Sequence, residues 1–339
     1  MKDFYILAIE SSCDETAAAI VKNGKEIVSS IVSSQIDVHA RYGGVVPEIA
    51  SRMHIENITP VLLNCFEKAG MTMEDVDAVA VTYGPGLIGC LHVGVQAAKT
   101  LAWYYDKPLV PVHHLAGHIY ANAFVDELCY PLLALVVSGG NSELVLLKEE
   151  FDFEILGSTQ DDAVGEAYDK VARVVGLPYP GGVAIDRLSH EGKPHYTLPK
   201  VRTEEPLDFS FSGLKSAVLQ LQQRERKAGR ELDHADLAYA FQHTVVDQLM
   251  DRVKKAYEIY QPKHLVLAGG VAANSLLRER MQEEFGSMEG VKVTLPPMSC
   301  CTDNAAMIAC AAYYKAQEGL FSDLSLDAFP VLDLMWGME

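Results

Sequence analysis

Apolar and polar residues alternate along the chain in short blocks, a pattern typical of α/β proteins. Residues 4–9 form an apolar run that predicts a buried strand, and residues 17–21 form a second run after a polar turn. These two runs predict a hairpin with an acidic tip. Residues 47–70 have helical spacing and end in a glycine, and residues 112–124 predict a strand followed by a histidine-rich helix.

The strand–turn–strand pattern occurs again at residues 131–147, where glycines replace the carboxylates of the first turn. Residues 157–235 are more polar and more helical, which indicates a helical insertion. The two copies predict a two-lobed α/β protein, with one lobe formed by residues 1–125 and 305–339 and the other by residues 126–304. In such folds ligands bind at strand ends and helix N-termini.

Composition limits the class of protein. The chain has 339 residues, 49% of them apolar, which predicts a folded globule with a large core. Its net charge of −18 opposes unaided binding to a polyanion, so a nucleic-acid substrate would require local basic patches or a partner. Seven cysteines without a CxxC pair favour a reducing compartment, and the first apolar run is too short for a secretion signal. We therefore expect a cytoplasmic protein.

The histidine-rich segment predicts a metal site. His114 and His118 are four residues apart, so a helix places both imidazoles on one face. Asp303 begins the last predicted helix and is the candidate third ligand, because two imidazoles and one carboxylate leave positions for water or substrate. Leu115 occupies the position of the general base in the zinc peptidase motif H-E-x-x-H. Two simpler interpretations remain, namely exposed polar histidines and an N-cap aspartate.

Two further features predict either chemistry or turns. Asp14 and Glu15 at the hairpin tip are suited to accept a proton or bind a metal through water, but they also suit a solvated turn. Glycine pairs at residues 139–140, 181–182 and 269–270 expose backbone N–H groups that suit phosphate, although each pair also fits a tight turn. The sequence contains neither a P-loop nor a Rossmann fingerprint.

Nine motifs follow one another between about residues 5 and 315. They are IESSCDETAAAI, YGGVVPEIASR, TYGPGLIGCLHVG, VHHLAGH, LVVSGGNSEL, GEAYDKVARVVGLPYPGG, FSFSGLK, LAGGVAAN and CCTDNAAM. With these motifs the chain resembles the TsaD family, also called Gcp, the tRNA threonylcarbamoyladenosine transferases once labelled O-sialoglycoprotein endopeptidases. The resemblance covers nearly the whole chain.

The resemblance implies a fold and a reaction. The fold is the two-domain actin/hexokinase-like (ASKHA) fold, with duplicated RNase H-like units and a helical insertion. The reaction transfers threonylcarbamoyl from threonylcarbamoyl-adenylate to N6 of adenosine 37 in tRNAs that read codons beginning with A, and it releases AMP. The resemblance also implies one divalent ion, Fe²⁺ or Zn²⁺, a TsaB-like paralogue and a TsaE-like ATPase. We expect the paralogue to bind helices at residues 50–70 and 88–105.

The resemblance also implies roles for individual residues. His114, His118 and Asp303 match the metal ligands, and Asp14 and Glu15 match the acids required at the active centre. The positions that match contacts to the adenylate are Val137, Ser138, Gly139, Gly140, Asn141, Asp169, Gly182, Asp186 and Asn274. Val136 stands where archaeal and eukaryotic relatives have a tyrosine ligand, so the sequence looks bacterial.

Two other functions fit parts of the sequence. A metallopeptidase would use the same histidine pair, but it needs a water-activating carboxylate where Leu115 stands. An ATP-binding scaffold or sugar-kinase-like enzyme would share the fold, so the fold alone does not distinguish it from a transferase.

Overall fold

The structure is a computed structural model that describes residues 2–201 and 203–336. The last three residues of the predicted first lobe, 337–339, lie outside the described part. The strands are β1 (Tyr5–Glu10), β2 (Glu15–Lys22), β3 (Glu26–Ser34), β4 (Ala78–Gly84), β5 (Leu109–His113), β6 (Leu132–Val137), β7 (Ser142–Leu147), β8 (Phe153–Ser158), β9 (His264–Ala268) and β10 (Lys292–Thr294).

The helices predicted at residues 47–70, 88–105 and 112–124 are present, and three more lie within the predicted insertion at residues 157–235. The helices are α1 (Ile36–Ala40), α2 (Pro47–Ala69), α3 (Ile88–Tyr104), α4 (His114–Tyr120), α5 (Val164–Val174), α6 (Gly181–Ser189), α7 (Ser212–Lys227), α8 (His234–Tyr260), α9 (Ser275–Phe285) and α10 (Ala305–Gln317). Short 3-10 turns occur at Met73–Asp75, Ala121–Phe124, Gly270–Ala273, Met298–Cys300 and Leu334–Trp336.

Backbone contacts divide the chain into two compact units, Met1–Leu128 with Pro296–Glu339, and Cys129–Leu295. Each unit contains one five-stranded sheet with the same topology. The order is β3–β2–β1–β4–β5 in the first unit and β8–β7–β6–β9–β10 in the second. In both sheets the first three strands pair antiparallel and the last two add in parallel. The duplicated α/β unit predicted from the sequence is therefore confirmed.

The predicted hairpins are each extended by a third strand that the sequence analysis did not identify. β3 has a mixed pattern of exposure along its length, and β8 is partly exposed over most of its residues. Both are edge strands, so neither carries the continuous apolar run that marks a strand buried on two faces. The pattern on which the prediction relied is absent from these two strands.

Helices cover both faces of the first sheet. Alternate residues of a strand point to opposite faces, and Leu7 and Ile9 belong to the apolar cluster formed with α2 and α3. Helix α10 contacts β1 and β2 but contributes no residue to that cluster, so it covers the other face. Glu10 is in alternation with Ile6 and Ala8, and the carboxylate at the end of β1 therefore points to the face that α10 covers.

Helix α4 lies directly against α10 at a glycine. A Cβ atom at Gly117 would lie 2.7 Å from Cδ1 of Ile308 and 3.3 Å from Cγ of Met307. Residues 305–312 of α10 are all buried and include five alanines, so the surface that faces α4 and the sheet is made largely of small side chains. Small side chains on both helices bring the two backbones close together. This packing sets the distance between the histidines of α4 and the residues that precede α10.

We predict that Gly269→Ala lowers the free energy of unfolding by about 2–4 kcal/mol. Gly269 has φ +89° and ψ 172°, a conformation essentially restricted to glycine, and a Cβ atom there would collide with the carbonyl oxygen of Val137. Gly270 is the matched control, because a Cβ atom added there would meet no atom within 4 Å. Urea denaturation of both variants measures the difference, and equal losses for the two would contradict this prediction.

Candidate metal and ligand sites

The two candidate histidine ligands project from the first turns of α4, directly after β5. His113 precedes them and is engaged elsewhere. Its Nδ1 accepts a hydrogen bond from the Leu115 amide at 3.1 Å, and its Nε2 donates to the Leu332 carbonyl at 3.1 Å. His114 and His118 lie with their ring centroids 4.8 Å apart and their planes nearly perpendicular, and both are buried. Buried rings of this kind are not the exposed polar histidines of the simpler interpretation.

Asp303 meets both histidines. Its Oδ1 lies 3.2 Å from Nε2 of His118 and 3.5 Å from Nε2 of His114. All three residues belong to the first unit. Asp303 is not the N-cap of α10, because Asn304 fills that position and accepts a hydrogen bond from the Met307 amide at 2.9 Å. The N-cap interpretation is therefore wrong by one residue, and the Asp303 carboxylate remains available.

The geometry fits a divalent transition-metal ion. One potential ligand atom from each of His114, His118 and Asp303 lies within 4.8 Å of the others. Two imidazole nitrogens and one carboxylate oxygen form a donor set that suits Zn²⁺ or Fe²⁺ and leaves coordination positions for other ligands. These three residues could therefore hold a metal ion.

The Glu10 carboxylate contacts His114 on the side of the ring away from Asp303. Its Oε2 lies 3.0 Å from Nδ1 of His114 and accepts a hydrogen bond from Oγ1 of Thr82 at 2.6 Å. Its Oε1 accepts a hydrogen bond from the Ser12 amide. Glu10 is not among the site residues predicted from the sequence, although one signal is present, namely a carboxylate at the last position of an otherwise apolar strand. A charge at such a position must find partners within the fold.

The charges of this cluster offset one another. Burial alone would lower the pKa of His114, but the carboxylates of Asp303 and Glu10 raise it well above its usual value. Burial opposes ionisation of Asp303, yet the charge of His114 and hydrogen bonds from both histidines hold the pKa of Asp303 far below its usual value. In the absence of an ion, the positive charge of protonated His114 thus neutralises part of the negative charge of these carboxylates. A bound divalent cation would take over this role.

The acidic turn shares this electrostatic environment. Burial, followed by the charges of Asp303 and Asp14, raises the pKa of Glu15 to about 9. Oγ of Ser34 donates a hydrogen bond to Glu15 at 3.0 Å. His54 on α2 fixes the start of the turn, because its Nε2 donates to the Cys13 carbonyl at 2.9 Å. His54 is not among the predicted site residues either, because it lies inside an amphipathic helix and no sequence pattern distinguishes it.

The second unit presents its glycine loops at one end of its sheet. Residues 138–141 follow β6 and residues 269–270 follow β9, and these two strands are parallel neighbours. Oγ of Ser138 accepts hydrogen bonds from the amides of Asn141 at 3.0 Å and Gly140 at 3.3 Å. Cβ atoms added at Gly139 or Gly140 would meet no atom within 4 Å, and neither residue has a positive φ. Neither packing nor backbone conformation requires glycine at these two positions. The missing side chains instead leave space for a ligand to approach the backbone closely.

Helix α6 begins beside an acid. Oδ1 of Asp169 accepts a hydrogen bond from the Gly181 amide at 2.7 Å. Burial raises the pKa of Asp169. Gly181 packs closely against α5, whereas a Cβ atom at Gly182 would meet only the Tyr168 side chain, at 4.0 Å. The two glycines therefore differ, since Gly181 is required for packing and Gly182 faces open space.

Asp186 and Asn274 form one hydrogen-bonded network. Asp186 accepts hydrogen bonds from Oγ of Ser275 at 2.7 Å, from Nε2 of Gln242 at 2.9 Å and from Nδ2 of Asn274 at 3.3 Å. Asn274 also caps α9 through the amide of Leu277 at 3.0 Å. Sequence reasoning did not identify Gln242 or Ser275, because nothing in the pattern of α8 or α9 distinguishes a residue that bonds to a distant carboxylate.

Comparison with known proteins gives the relationships of the chain. Residues 26–310 match the model of the family described as "TsaD: tRNA N6-adenosine threonylcarbamoyltransferase". A Bacillus cereus protein named tRNA N6-adenosine threonylcarbamoyltransferase is 55% identical over 334 residues, which cover 98% of this chain and 97% of that protein.

Solved structures show the same fold at low sequence identity. HypF from T. kodakarensis superposes with a TM-score of 0.62 at 14% identity, covering 95% of this chain and 49% of that chain. Component A of (R)-2-hydroxyglutaryl-CoA dehydratase from Acidaminococcus fermentans gives a TM-score of 0.56 at 18% identity, covering 93% and 99%. The predicted actin/hexokinase-like fold is therefore confirmed. None of the helices within the described residues is long and apolar enough to span a bilayer.

We predict that Glu15→Gln stabilises the ion-free protein more at pH 8 than at pH 5. The folded state keeps the Glu15 proton up to about pH 9, whereas the unfolded state releases it near the usual glutamate pKa of 4.5. The contribution of protonated Glu15 to the free energy of unfolding is therefore fully present below pH 4.5, and it is lost as the pH rises from 4.5 to about 9. Glutamine has no proton to lose, so the gain in melting temperature should exceed about 2 °C at pH 8.

Calorimetry of chelator-treated protein at the two pH values makes this measurement. The exposed Glu67 on α2 supplies the matched control, and Glu67→Gln should show no comparable dependence on pH. A gain for Glu15→Gln that is the same at both pH values would contradict the prediction.

Proposed function

The chain belongs to the TsaD family of tRNA N6-adenosine threonylcarbamoyltransferases, and we propose that it catalyses the reaction of this family. In this reaction threonylcarbamoyl passes from threonylcarbamoyl-adenylate to N6 of adenosine 37 in tRNAs that read codons beginning with A. The observation that carries the proposal is the convergence of His114, His118 and Asp303 next to the acidic turn. The family resemblance drawn from the motifs is confirmed by these relatives.

The metal ligands in this proposal are His114, His118 and Asp303, and the ion is Fe²⁺ or Zn²⁺. When bound, the ion would supply positive charge that stabilises the negative charge developing on the leaving phosphate. Thr82 donates a hydrogen bond to Glu10, whose carboxylate lies 3.0 Å from Nδ1 of His114. Leu115 is buried and brings no carboxylate to this site, so the geometry gives no support to a peptidase.

The donor binds, in this proposal, to the glycine loops of the second unit. The loop of residues 137–141 is the proposed site for the phosphate and its acyl group, because Gly139 and Gly140 have no side chains and a ligand can approach their backbone closely. Asp169 on α5 accepts a hydrogen bond from the amide of Gly181 at the start of α6, Gly182 follows, and Asp186 lies one turn further along. In this proposal these positions bind the ribose, whose hydroxyls would donate to the carboxylates. Asn274 would meet the adenine end. The open space over Gly140 and Gly182 supports this assignment.

The transfer forms one bond and breaks one. N6 of adenine attacks the carbamoyl carbon, the bond from that carbon to the phosphate oxygen breaks, and AMP leaves with the electron pair. The attacking amine loses a proton, for which Asp14 or Glu15 is the acceptor. Burial and the neighbouring carboxylates of Asp303 and Asp14 raise the pKa of Glu15 to about 9, so in the ion-free protein Glu15 retains its proton at neutral pH. Asp14 is therefore our first candidate for the base.

The tRNA must present an unstacked base. An adenine stacked within an anticodon loop cannot reach a buried carboxylate, so the enzyme must bind the loop in an opened form. The net charge of −18 makes binding of this polyanion dependent on local patches or on partners. We propose a TsaB-like paralogue and a TsaE-like ATPase as those partners, and the two compact units as the two lobes that form the enzyme.

We predict that Asp14→Asn lowers the rate of transfer by about 10²–10⁴-fold, because it removes the group that accepts the proton. The assay combines the purified protein with synthetic threonylcarbamoyl-adenylate and unmodified tRNA, with and without the partners, and detects the modified nucleoside by mass spectrometry. Binding of the donor, measured by calorimetry, should stay within about twofold of wild type, since Asp14 belongs to the first unit and the proposed donor contacts to the second.

Full activity of both Asp14→Asn and Glu15→Gln would remove the assignment of the base. Absence of any modified nucleoside from wild-type protein supplied with its partners would instead contradict the proposed reaction. Proteolysis by the metal-loaded protein that His114→Ala abolishes would favour the peptidase, and ATP hydrolysis without tRNA or donor would favour the scaffold.

The exposed apolar side chains of α2 and α3 support the partner assignment. Ile55 and Leu63 on α2 are each 65% exposed, and Trp103 and Tyr104 at the end of α3 are 69% and 71% exposed. The two helices pack against each other, so these side chains belong to one helical layer. Exposed apolar residues concentrated on neighbouring helices are typical of a protein interface.

We predict that Leu63→Asp weakens binding of the TsaB-like paralogue by about tenfold or more, because it places a charge in an apolar contact. Ile259→Asp is the matched control, since Ile259 is 61% exposed but lies on α8 in the second unit. Calorimetric titration with the paralogue measures both affinities. Wild-type affinity for Leu63→Asp, or an equal loss in the control, would exclude α2 as the contact surface.

A further inference from the structure

We infer that Glu10 is a positioning residue, whose carboxylate fixes the tautomer and ring orientation of His114 so that Nε2 of this ring is available to a divalent ion. The inference rests on one element of the proposed function, namely that His114 is a metal ligand. Glu10 is not itself a proposed metal ligand, and its role is to orient one.

The direction of the hydrogen bonds around Glu10 follows from their donors. The Ser12 amide can only donate, and Oγ1 of Thr82 donates to the same carboxylate at 2.6 Å. Glu10 is fully buried at the end of β1, where an ionised carboxylate requires several donors. It therefore acts as the acceptor in this cluster, and Nδ1 of His114, at 3.0 Å, supplies the third donor.

The position of that proton decides which nitrogen can bind metal. A neutral imidazole carries a hydrogen on one nitrogen and a lone pair on the other. With the hydrogen of His114 on Nδ1, the lone pair lies on Nε2, which is the nitrogen that faces Asp303 at 3.5 Å. Metal-binding histidines commonly donate their second N–H to a carboxylate, and this contact orients the ring and raises its basicity.

The second histidine lacks this arrangement. Nδ1 of His118 is buried and has no hydrogen-bond partner among the residues that the structure describes. Within the described part of the chain, the Nδ1 atom of His114 therefore contacts a carboxylate and the Nδ1 atom of His118 does not. The effect of removing the Glu10 charge should therefore act through His114.

The test measures binding of Zn²⁺ alone, by competition with a chromophoric chelator, for wild type and three variants. Glu10→Gln should raise the dissociation constant about 10–100-fold. His114→Ala removes a ligand and should raise it at least as much. Thr294→Val is the matched control, because it removes a buried hydrogen bond to a histidine, His264, at 2.6 Å in the second unit. Its dissociation constant should stay within about twofold of wild type.

The outcomes separate this inference from the proposed metal site. If Glu10→Gln binds Zn²⁺ with the wild-type dissociation constant while His114→Ala loses most of its affinity for Zn²⁺, the role of Glu10 is overturned. The proposed metal site is then still supported. Wild-type binding by His114→Ala would overturn both. A loss in Thr294→Val as large as that in Glu10→Gln would assign the effect to general disruption and would also overturn the inference.

A second measurement needs no variant. In zinc-loaded wild-type protein, long-range ¹⁵N–¹H spectra of the imidazoles report which nitrogen of His114 carries the hydrogen. We expect the hydrogen on Nδ1 and the metal on Nε2. The opposite assignment would overturn the role of Glu10, even if Glu10→Gln failed to fold.

Discussion

The candidate metal centre depends on the close packing of α4 against α10. His114 and His118 are four residues apart on α4, but Asp303 is about 190 positions away in the sequence and reaches them only because α10 lies against α4. Gly117, between the two histidines, lets Ile308 and Met307 approach the helix backbone. A larger side chain at this point would separate the helices and move the carboxylate away from the imidazoles.

The same packing explains the charge balance of the site. Glu10, Asp303 and the acidic turn bring several carboxylates into one buried region, and one protonated imidazole offsets part of their charge. Burial of unpaired charge is costly, so such a cluster is tolerated only with a compensating cation. A divalent ion would release the proton of His114 and lower the pKa of Glu15, and this links metal binding to the protonation state of the residue next to the proposed base Asp14.

The sequence supports part of this account and not the rest, for physical reasons. The repeated hairpin and the histidine helix follow from periodicity, and the motifs identify the family. Edge strands β3 and β8 lack a continuous apolar run, so no pattern distinguishes them. The Glu10–His114 contact joins residues 104 positions apart, and the capping of α10 by Asn304 instead of Asp303 depends on a shift of one residue. Tertiary structure decides contacts of these kinds.

The central claim is that His114, His118 and Asp303 bind one divalent ion. Anomalous diffraction from crystals of the zinc-loaded protein, recorded on both sides of the zinc absorption edge, tests it most directly. The account predicts a single strong anomalous peak coordinated by these three side chains. A peak coordinated by other residues, or no peak at this position in protein that contains one zinc per chain, would contradict it.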